Sequence, residues 1–380
     1  MPNTSRMDAL VTDVHIASAV AGVRALGRVG LDVVGLAPRR GAAGLWSRYC
    51  AARAIGPDSL TDADGFVDAV RRVIERHGRL VVYPGQDEAL NALMADAPAM
   101  PAEAVLPYPG AEPLAALRDK ARLAGLAAAA GLSTPSTLAA GSAGDVLSGE
   151  LPDGAVVKPS HPGGAFADVR LADSREDLRA LLATVAPDEG VVLQERLSGR
   201  LMAVSMVVDR DGALVRRFQQ VALRTWPADA GISSLAVSVE PDEALVEACR
   251  SLLAAGGYWG LAQLQFIDAP GGRRLIDVNT RFYGSLALAL AAGVNLPAAW
   301  HAVTLAEPAG APESYRVGVS YRWVEADLMA ATRGEPGRLF SRGPRPRTGP
   351  MWARDDLVAS ALFSAGALGG GITRRLGRRA

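Results

Sequence analysis

The stretch LIDVNTRF (275–282) constrains the fold most, because its polar and apolar residues alternate with the period of a β-strand. Asp277, Asn279 and Arg281 therefore share one face of the predicted strand, and the residues between them share the other. A face that carries a carboxylate, an amide and a guanidinium inside an apolar region is costly unless charged groups lie against it. Two interpretations stay open: an exposed edge strand, or a cation bound by Asp277 and Asn279 beside an anion bound by Arg281.

A second predicted strand, LAQLQFID (261–268), precedes this one, and the turn between them centres on Gly271. Gln265 and Asp277 each lie six residues from that glycine, so the spacing predicts that they face each other across an antiparallel hairpin. Gln265, Asp277 and Asn279 would then present three oxygen atoms on one face, a donor set that suits Mg²⁺. A solvated polar face is the alternative, and it would be favoured if the hairpin stood alone.

Lysine is rare in this chain, and its two positions are therefore informative. Lysine and arginine together number 40, yet only Lys120 and Lys158 are lysines. A lysine that survives such a bias is expected where a compact, flexible ammonium group is needed, although chance retention is the alternative. Lys158 lies in the predicted strand GAVVKPS (154–160), and Gly163 and Gly164 follow in a loop whose backbone amides can approach phosphate oxygens.

Strands and helices alternate before residue 112, which predicts an open parallel α/β sheet. The first strand is not followed by GxGxxG, so a dinucleotide fingerprint is missing. Proline residues clustered between Pro98 and Pro113 predict a boundary near 100–112. The predicted strands cover 9–14, 31–38, 79–84, 154–160, 191–197, 201–209, 213–224, 261–268, 275–282 and 316–324, and the predicted helices cover 16–28, 63–77, 87–95, 113–130, 174–186 and 241–256.

Composition excludes some classes of protein. The 40 basic and 40 acidic residues balance, so there is no overall attraction to nucleic acid or to a membrane surface. Cys50 and Cys249 lie far apart and form no disulfide or metal-binding pattern, which favours a cytoplasmic location. The first residues lack the apolar core of a signal peptide. An apolar run at 357–372, followed by four arginines, favours a terminal packing helix over contact with a membrane.

Several motifs together resemble the ATP-grasp superfamily of ATP-dependent ligases. In chain order they are DK on a helix, VVKP followed by a Gly-Gly loop, QERLSG, the pair LQF and IDVNTRF, and GSLALALAAGVNLP. The resemblance covers about residues 115–300. IDVNTR is similar to the metal-binding strand of biotin carboxylase, and a glutamine as first metal ligand is similar to carbamoyl phosphate synthetase. The overall layout, with WSRYC and YPGQDEAL, looks most like the stand-alone carboxylate–amine ligases of bacteria.

The resemblance implies an α/β fold, with α+β character in the ATP-grasp part. A Rossmann-like pre-ATP-grasp domain would cover 1–112, and an ATP-grasp domain would cover 113–310, with a lid subdomain at about 130–193. The remaining segment, 311–380, would hold a strand, an arginine- and proline-rich linker and a terminal helix.

The resemblance also implies roles in nucleotide binding. Lys120 and Lys158 match the two lysines that contact the nucleotide phosphates, and Gly163 and Gly164 match the flexible lid loop. The sequence QERL at 194–197 matches the hinge where adenine stacks. There Gln194 opens the motif, and backbone groups of Glu195 and Leu197 would bind the edge of the base.

Further roles concern the metal ion and the reacting groups. Gln265, Asp277 and Asn279 match the Mg²⁺ ligands, and Arg281 matches the residue that steadies the transferred phosphate or the acyl phosphate. Arg224 falls where related ligases place an arginine that binds phosphate or carboxylate.

The chain departs from the family pattern in three places. The acidic residue that usually grips the ribose after the hinge glycine is absent, since Gly199 is followed by Arg200. The metal carboxylate is Asp277 where glutamate is commoner. The usual Gly-Gly-Ser substrate loop is replaced by AGISS at 230–234.

The expected function is that of an ADP-forming carboxylate–amine ligase that uses ATP and Mg²⁺, with Mn²⁺ as the alternative ion. Its partners would be a small-molecule carboxylate and an amine, without nucleic acid, and related ligases suggest a homodimer. Two alternatives stay open. One is a carboxylase-type enzyme that uses bicarbonate, and the other is a nucleotide-binding regulatory or partner protein with a degenerate active site.

Overall fold

A computed structural model of the chain describes residues 7–160, 169–227, 231–310, 312–340, 344 and 348–376, with side chains as far as Gly366. Its first part is a parallel sheet of five strands: β1 Ala9–Val11, β2 Val33–Ala37, β3 Cys50–Ile55, β4 Leu80–Tyr83 and β5 Ala104–Val105. The order is β3-β2-β1-β4-β5, so the connection reverses direction between β1 and β4. Open α/β sheets bind ligands at the carboxyl ends of the strands that flank such a reversal.

Two strands of this sheet are missing from the prediction. β3 has the sequence CAARAI, in which alanine and arginine favour a helix. Its side chains nevertheless alternate in exposure, as expected at a sheet edge. β5 is only two residues long and pairs with β4. Both strands form because a neighbouring strand offers free backbone groups, a tertiary effect that local propensity does not report.

Five helices accompany this part of the chain: α1 Ala17–Gly27, α2 Ala63–His77, α3 Asp87–Ala95, α4 Ala111–Arg118 and α5 Lys120–Ala129. The single helix predicted over 113–130 is wrong, because α4 and α5 are separated at Asp119. The Asp119 carboxylate accepts hydrogen bonds from the backbone N–H groups of Ala121 at 2.9 Å and Arg122 at 3.0 Å. This N-cap starts a new helix and makes Lys120 its first residue.

A four-stranded sheet follows, with the order β6-β9-β7-β8. Its elements are β6 Thr137–Ser142, α6 Ala143–Ser148, β7 Ala155–Pro159, β8 Arg170–Ala172, α7 Arg175–Leu182 and β9 Gly190–Gln194. Side chains such as Val157 and Leu193 form a core with the two helices. Because side chains alternate along a strand, Lys158 and Gln194 lie on the opposite face, which borders a cavity.

The six-stranded antiparallel sheet is the largest element of the fold, and its order is β14-β13-β10-β11-β12-β15. Its strands are β10 Arg200–Val208, β11 Leu214–Trp226, β12 Ile232–Ser238, β13 Gly260–Ala269, β14 Gly272–Asn279 and β15 Ser320–Arg322. The segment expected to form a substrate loop enters β12 at Ile232, because the residues from Ile232 onward pair with β11. β15 lies beyond the predicted boundary at 310 and yet completes this sheet. We retain the domain boundaries at 112 and 310 as a proposal.

The remaining helices are α8 Glu243–Ala255, α9 Leu286–Ala292, α10 Leu296–Thr304, α11 Val324–Ala331 and α12 Leu357–Leu376. The terminal helix begins where the apolar run predicted it. Within the described residues, no single helix has both the length and the apolar composition needed to cross a membrane. α9 and α10 together pass that test by length and composition, but a bend of 99° separates them.

An aromatic cluster joins the parallel sheet to the rest of the chain. The rings of Tyr83 and Phe282 stack with their centroids 5.5 Å apart, and Trp300 meets Phe282 edge-on at 5.6 Å. Gly22 of α1 allows this approach, since a Cβ there would lie 2.4 Å from the Phe282 ring. The packing holds the residues that follow β14 against the amino-terminal sheet.

The segment before α12 returns to the amino-terminal part of the molecule. Asp356 is buried and accepts hydrogen bonds from Arg24 Nε at 2.7 Å, Ser47 Oγ at 2.7 Å and the backbone N–H of Arg48 at 2.9 Å. Arg24 also donates to the Met351 carbonyl at 2.8 Å. A buried ion pair therefore connects the two ends of the chain.

Candidate active site

A cavity of about 600 Å³ lies between the four-stranded and six-stranded sheets, and Ser18 and Asp87 border it from the amino-terminal part. Cavities of this size bind small ligands such as cofactors. The predicted site residues that line it are Lys120, Lys158, Gln194, Glu195, Leu197, Gln265, Asp277, Asn279 and Arg281. Gly163 and Gly164 lie outside the described residues. Arg224 is not among the lining residues, although the adjacent Thr225 is.

The hairpin of β13 and β14 supplies the candidate metal ligands. Gln265 lies opposite Asp277, which confirms the predicted pair, and Gln263 lies opposite Asn279. From the turn as far as Leu275, the two strands pair one residue out of step with the Gln265–Asp277 pair. A bulge at Ile276, which has no partner in β13, corrects this difference. A one-residue slip would turn every following side chain to the other face of the sheet. The bulge therefore determines that Asp277 and Asn279 face the cavity.

Arg281 reaches the cavity in a different way from the one predicted. β14 ends at Asn279, so the prediction that the strand alternation continues through Arg281 is wrong. The next residue, Phe282, packs into the aromatic cluster and draws the chain away from the sheet. Arg281 consequently projects from the bend after the strand, yet it lines the same cavity as Asp277.

Asp277 is surrounded by cationic side chains. Lys120 Nζ lies 2.5 Å from Asp277 Oδ1. Burial raises the pKa of Asp277, but Lys120, Lys158 and Arg281 outweigh that effect and hold the pKa below its usual value. The carboxylate is therefore ionised at neutral pH and available to a cation.

Lys158 is buried, with 7% of its surface exposed. Its Nζ donates a hydrogen bond to the carbonyl of Ile276 at 3.1 Å, so the residue skipped by the bulge also orients the lysine. Burial, and secondarily the nearby Lys120, lower the pKa of Lys158 to about 8, although Asp277 opposes the shift. An anion that binds beside this ammonium group therefore favours its protonated form and raises its pKa.

Asp87, the first residue of α3, is a site residue that was not predicted from the sequence. Its carboxylate accepts hydrogen bonds from Arg281 Nη2 and, at 3.1 Å, from Arg118 Nη2. Burial raises the pKa of Asp87, but Arg281 and Arg118 outweigh it, and the pKa lies below its usual value. The sequence feature that could have identified Asp87 is its position shortly after a parallel strand, because ligands bind at that edge of such a sheet. The amino-terminal part thus supplies the counter-ion of Arg281.

Arg224 is engaged away from the cavity. Its Nη2 lies 2.6 and 2.7 Å from the two carboxylate oxygens of Asp327, which also accepts a hydrogen bond from Arg322 Nε at 2.6 Å. Asp327 is completely buried, and this contact links β11 to α11. A role for Arg224 in binding phosphate or carboxylate stays a prediction.

The hinge residues also border the cavity. Gln194 is the last residue of β9, and Glu195 and Leu197 follow it along the cavity wall. The Glu195 N–H donates to the Ser136 carbonyl at 3.0 Å, and the Ser136 N–H donates to the Glu195 carboxylate at 2.8 Å. Neither of these hydrogen bonds involves the backbone carbonyl of Glu195.

The residues present fit a magnesium ion. Among the described residues there is no group of three or more His, Cys, Asp and Glu side chains that could hold a metal. A metal here would thus rely on one carboxylate, Asp277, and on the amide oxygens of Gln265 and Asn279, which are the hard donors that Mg²⁺ accepts. In the structure, the ammonium group of Lys120 is the cationic partner of Asp277.

Residues 188–326 match the family model described as ATP-grasp in the biosynthetic pathway with Ter operon. No curated protein matches the chain in sequence. Many solved structures resemble its fold, among them the following three. Biotin carboxylase from Campylobacter jejuni is 14% identical, with a TM-score of 0.61, over 82% of this chain and 74% of that one. N5-carboxyaminoimidazole ribonucleotide synthetase from Thermus thermophilus is 18% identical, with a TM-score of 0.60, over 83% and 82%.

The third structure, L-amino acid ligase from Bacillus licheniformis, is 17% identical, with a TM-score of 0.57, over 79% of this chain and 75% of that one. At such identities the likeness concerns the fold, and it bears out the ATP-grasp architecture that the motifs predicted. Residues 188–326 thus match an ATP-grasp family model, and the chain shares the fold of three ATP-grasp enzymes.

Proposed function

We propose that the protein is an ATP-dependent ligase that activates a carboxylate as an acyl phosphate and joins it to an amine. The observation that carries the proposal is the group of cations, Lys120, Lys158 and Arg281, which lowers the pKa of Asp277 at one end of the cavity. Phosphoryl transfer depends on positioning and charge neutralisation more than on covalent help from the protein. A site with these three positively charged side chains suits a triphosphate.

The reaction would proceed in two steps. An oxygen of the substrate carboxylate attacks the γ-phosphorus and expels ADP, while Lys120 and Lys158 hold the phosphate oxygens. The amine then attacks the carbonyl carbon of the acyl phosphate and expels inorganic phosphate. Arg281, anchored by Asp87, stabilises the phosphate of the intermediate and of the leaving group.

Gln265, Asp277 and Asn279 would hold Mg²⁺, or Mn²⁺ as the alternative. The ion, when bound, supplies Lewis-acid neutralisation of phosphate oxygens. Lys120 and a metal ion both use the Asp277 carboxylate, so we expect Lys120 to turn from Asp277 toward the phosphates when the site fills.

Release of ADP tests the proposal directly. The protein is incubated with ATP and Mg²⁺ and with amino acids, other carboxylates and amines, singly and in pairs, and with bicarbonate. ADP release that requires a carboxylate and an amine together supports the proposal. Release with bicarbonate alone favours the carboxylase alternative. Nucleotide binding without turnover in any mixture favours a regulatory protein with a degenerate site.

The substrates in this proposal are small molecules. The fold shared with an L-amino acid ligase makes amino acids the first candidates for both the carboxylate and the amine. A cytoplasmic location belongs to the same proposal and is supported by Cys50 and Cys249, which are buried free thiols. The homodimer is proposed from the family resemblance alone.

We expect the affinity for ATP to fall as the pH rises through about 8, the pKa of Lys158 in the free protein. Bound phosphate favours the ammonium form, so affinity is constant below this pKa and declines by up to about tenfold per pH unit above it. Calorimetry between pH 7.5 and 9.5 measures the decline. Lys158→Arg keeps its charge throughout this range and should abolish the decline. An unchanged slope in that variant would assign the titration to another group.

A further inference from the structure

The terminal helix α12 packs against the protein through one of its faces. Ala359 and Ser360 on this face are completely buried. Phe363 packs with Val20 of α1 and with Ala43, in the segment that leads to β3. These contacts agree with the packing helix expected from the sequence, but they use only half of the helix surface described.

The opposite face of α12 is apolar and exposed to solvent. Successive exposed residues are spaced by one, three, one and three positions, which places them on one side of an α-helix; they are Leu357, Val358, Ala361, Leu362 and Ala365. Leu357 and Val358 are 59% and 58% exposed. A surface helix of a globular protein normally presents polar residues to solvent. A continuous apolar face therefore indicates an interaction surface.

Exposed arginines adjoin this face. They come from the segment on which α12 packs, and residues 38–56 contain no Asp or Glu; the four are Arg39, Arg40, Arg48 and Arg53. Within the described residues none of these four side chains forms an ion pair. The N–H of Arg48 donates to Asp356, directly before α12, at 2.9 Å. Residues 357–380 also lack Asp and Glu, and they add four arginines at 374, 375, 378 and 379. Positive charge is thus concentrated here, although the whole chain is neutral.

Two exposed tryptophans belong to the same two segments. Trp352 shortly precedes α12 and is 53% exposed, and Trp46 is 42% exposed. The guanidinium carbon of Arg53 lies 4.3 Å from the centroid of the Trp46 ring. Tryptophan is enriched where apolar and aqueous phases meet, because its ring is apolar and its N–H is polar.

We propose that α12 docks this protein onto an anionic lipid bilayer, with its exposed face in the apolar boundary and the neighbouring arginines on the lipid phosphates. A helix that lies in the membrane surface binds through its apolar area and through attraction to anionic lipids. The apolar run suggested packing and membrane contact as alternatives, whereas in this arrangement each uses a different face of one helix.

Other partners match only part of this surface. Nucleic acid would use the arginines and leave the apolar face in water. A second copy of this chain would cover the apolar face, but it would bring a second set of unpaired arginines to the same contact, and like charges oppose association. An anionic bilayer satisfies both the apolar face and the charge.

Sedimentation of the full chain with lipid vesicles tests the proposal. One set of vesicles contains phosphatidylcholine alone, and the other contains phosphatidylcholine with phosphatidylserine. The wild-type protein should bind the anionic vesicles at least about tenfold more tightly, and added salt should weaken that binding because it screens the charges. Failure to bind the anionic vesicles, or equal binding to both sets, would overturn the proposal.

Val358→Glu places a charge in the exposed apolar face and should reduce vesicle binding at least about tenfold. Val358 does not line the cavity, so ATP binding by this variant should equal that of the wild type and report an intact fold. Leu138→Glu is the matched control, because Leu138 is 45% exposed on the four-stranded sheet. This control should bind vesicles as the wild type does, and wild-type vesicle binding by Val358→Glu would contradict the role of α12.

A second pair of variants tests the charges. The double substitution of Arg40→Gln and Arg48→Gln should lower the preference for anionic vesicles about tenfold or more. The same change at Arg72 and Arg76 of α2, which are also exposed, should leave the preference unchanged, and equal losses in the two double variants would refute a local role of the first pair. Analytical ultracentrifugation without lipid tests the second copy as partner. A wild-type dimer that Val358→Glu converts to a monomer, without vesicle binding, would assign α12 to dimerisation and overturn the proposal.

Discussion

Replacement of Asp277 by asparagine should lower ATP turnover by about 100- to 1000-fold, the range found when one preorganised electrostatic group is removed from an active site. The change keeps the shape of the side chain but removes the carboxylate of the candidate metal site. It also leaves Lys120, whose Nζ lies 2.5 Å from Asp277 Oδ1, without its ionic partner. ADP release under the conditions that support wild-type turnover measures the effect.

Binding experiments show which function of Asp277 is lost. The substitution removes a negative charge beside the phosphates, so metal-free ATP should bind no more weakly than to the wild type. The gain in affinity on adding Mg²⁺ should disappear, because an amide oxygen is a poorer ligand than a carboxylate. Titration of ATP with Mg²⁺ and with a chelator separates the two effects.

Asp268→Asn is the control for this substitution. Asp268 lies on the same hairpin and is exposed, and its carboxylate is 3.8 Å from Arg273 Nε. This variant should retain wild-type turnover and the full response to Mg²⁺. If Asp277→Asn turned over ATP at a rate close to that of the wild type, the assignment of Asp277 as the metal carboxylate would be wrong.

The largest effect on stability should come from Asp356→Ala, which we expect to lower the free energy of unfolding by about 3–5 kcal/mol. Arg24 and Asp356 are 4% and 1% exposed, so the variant leaves a buried guanidinium without its carboxylate. Ser47 Oγ and the Arg48 N–H lose the same acceptor. Urea unfolding followed by circular dichroism measures the change.

The adjacent residue provides the matched comparison. Asp355 is 40% exposed and pairs with Arg28 Nε at 2.9 Å, so Asp355→Ala should cost at most about 1 kcal/mol, as for other solvent-exposed pairs. Comparable stability of the two alanine variants would contradict the view that Asp356 anchors the carboxyl-terminal segment. A loss confined to Asp356→Ala, with ATP binding preserved below the transition, would assign that segment to stability rather than to catalysis.

Local patterns predicted much of this fold correctly. The strands of the parallel sheet that carry continuous apolar runs, β1, β2 and β4, were predicted because such runs need no partner to be recognised. β3 and β5 were missed, since one is rich in alanine and the other has two residues. The break at Asp119 was also missed, although an aspartate followed by a helix-forming stretch is the signal of an N-cap.

The predicted pairing of Gln265 with Asp277 is correct, but only the structure explains how the two strands achieve it. Counting from Gly271 placed the two residues opposite each other, and they are. Near the turn, however, Ala269 pairs with Gly272, and that register would shift Asp277 by one position. The bulge at Ile276 restores the pair, and the Ile276 carbonyl orients Lys158. Bulges recur beside active sites because they redirect side chains in this way.

The sequence by itself determined the parts of the protein that depend on neighbours along the chain. These are the alternation of β14 up to Asn279, the two lysines retained among 38 arginines, and the order of motifs that resembles the ATP-grasp superfamily. Only the tertiary structure decided which charges meet. Arg281 and Asp87 are 194 positions apart, and Arg24 and Asp356 are 332 positions apart. Hydrophobic packing brings such residues together and removes them from water, and that burial makes their ionic contacts matter.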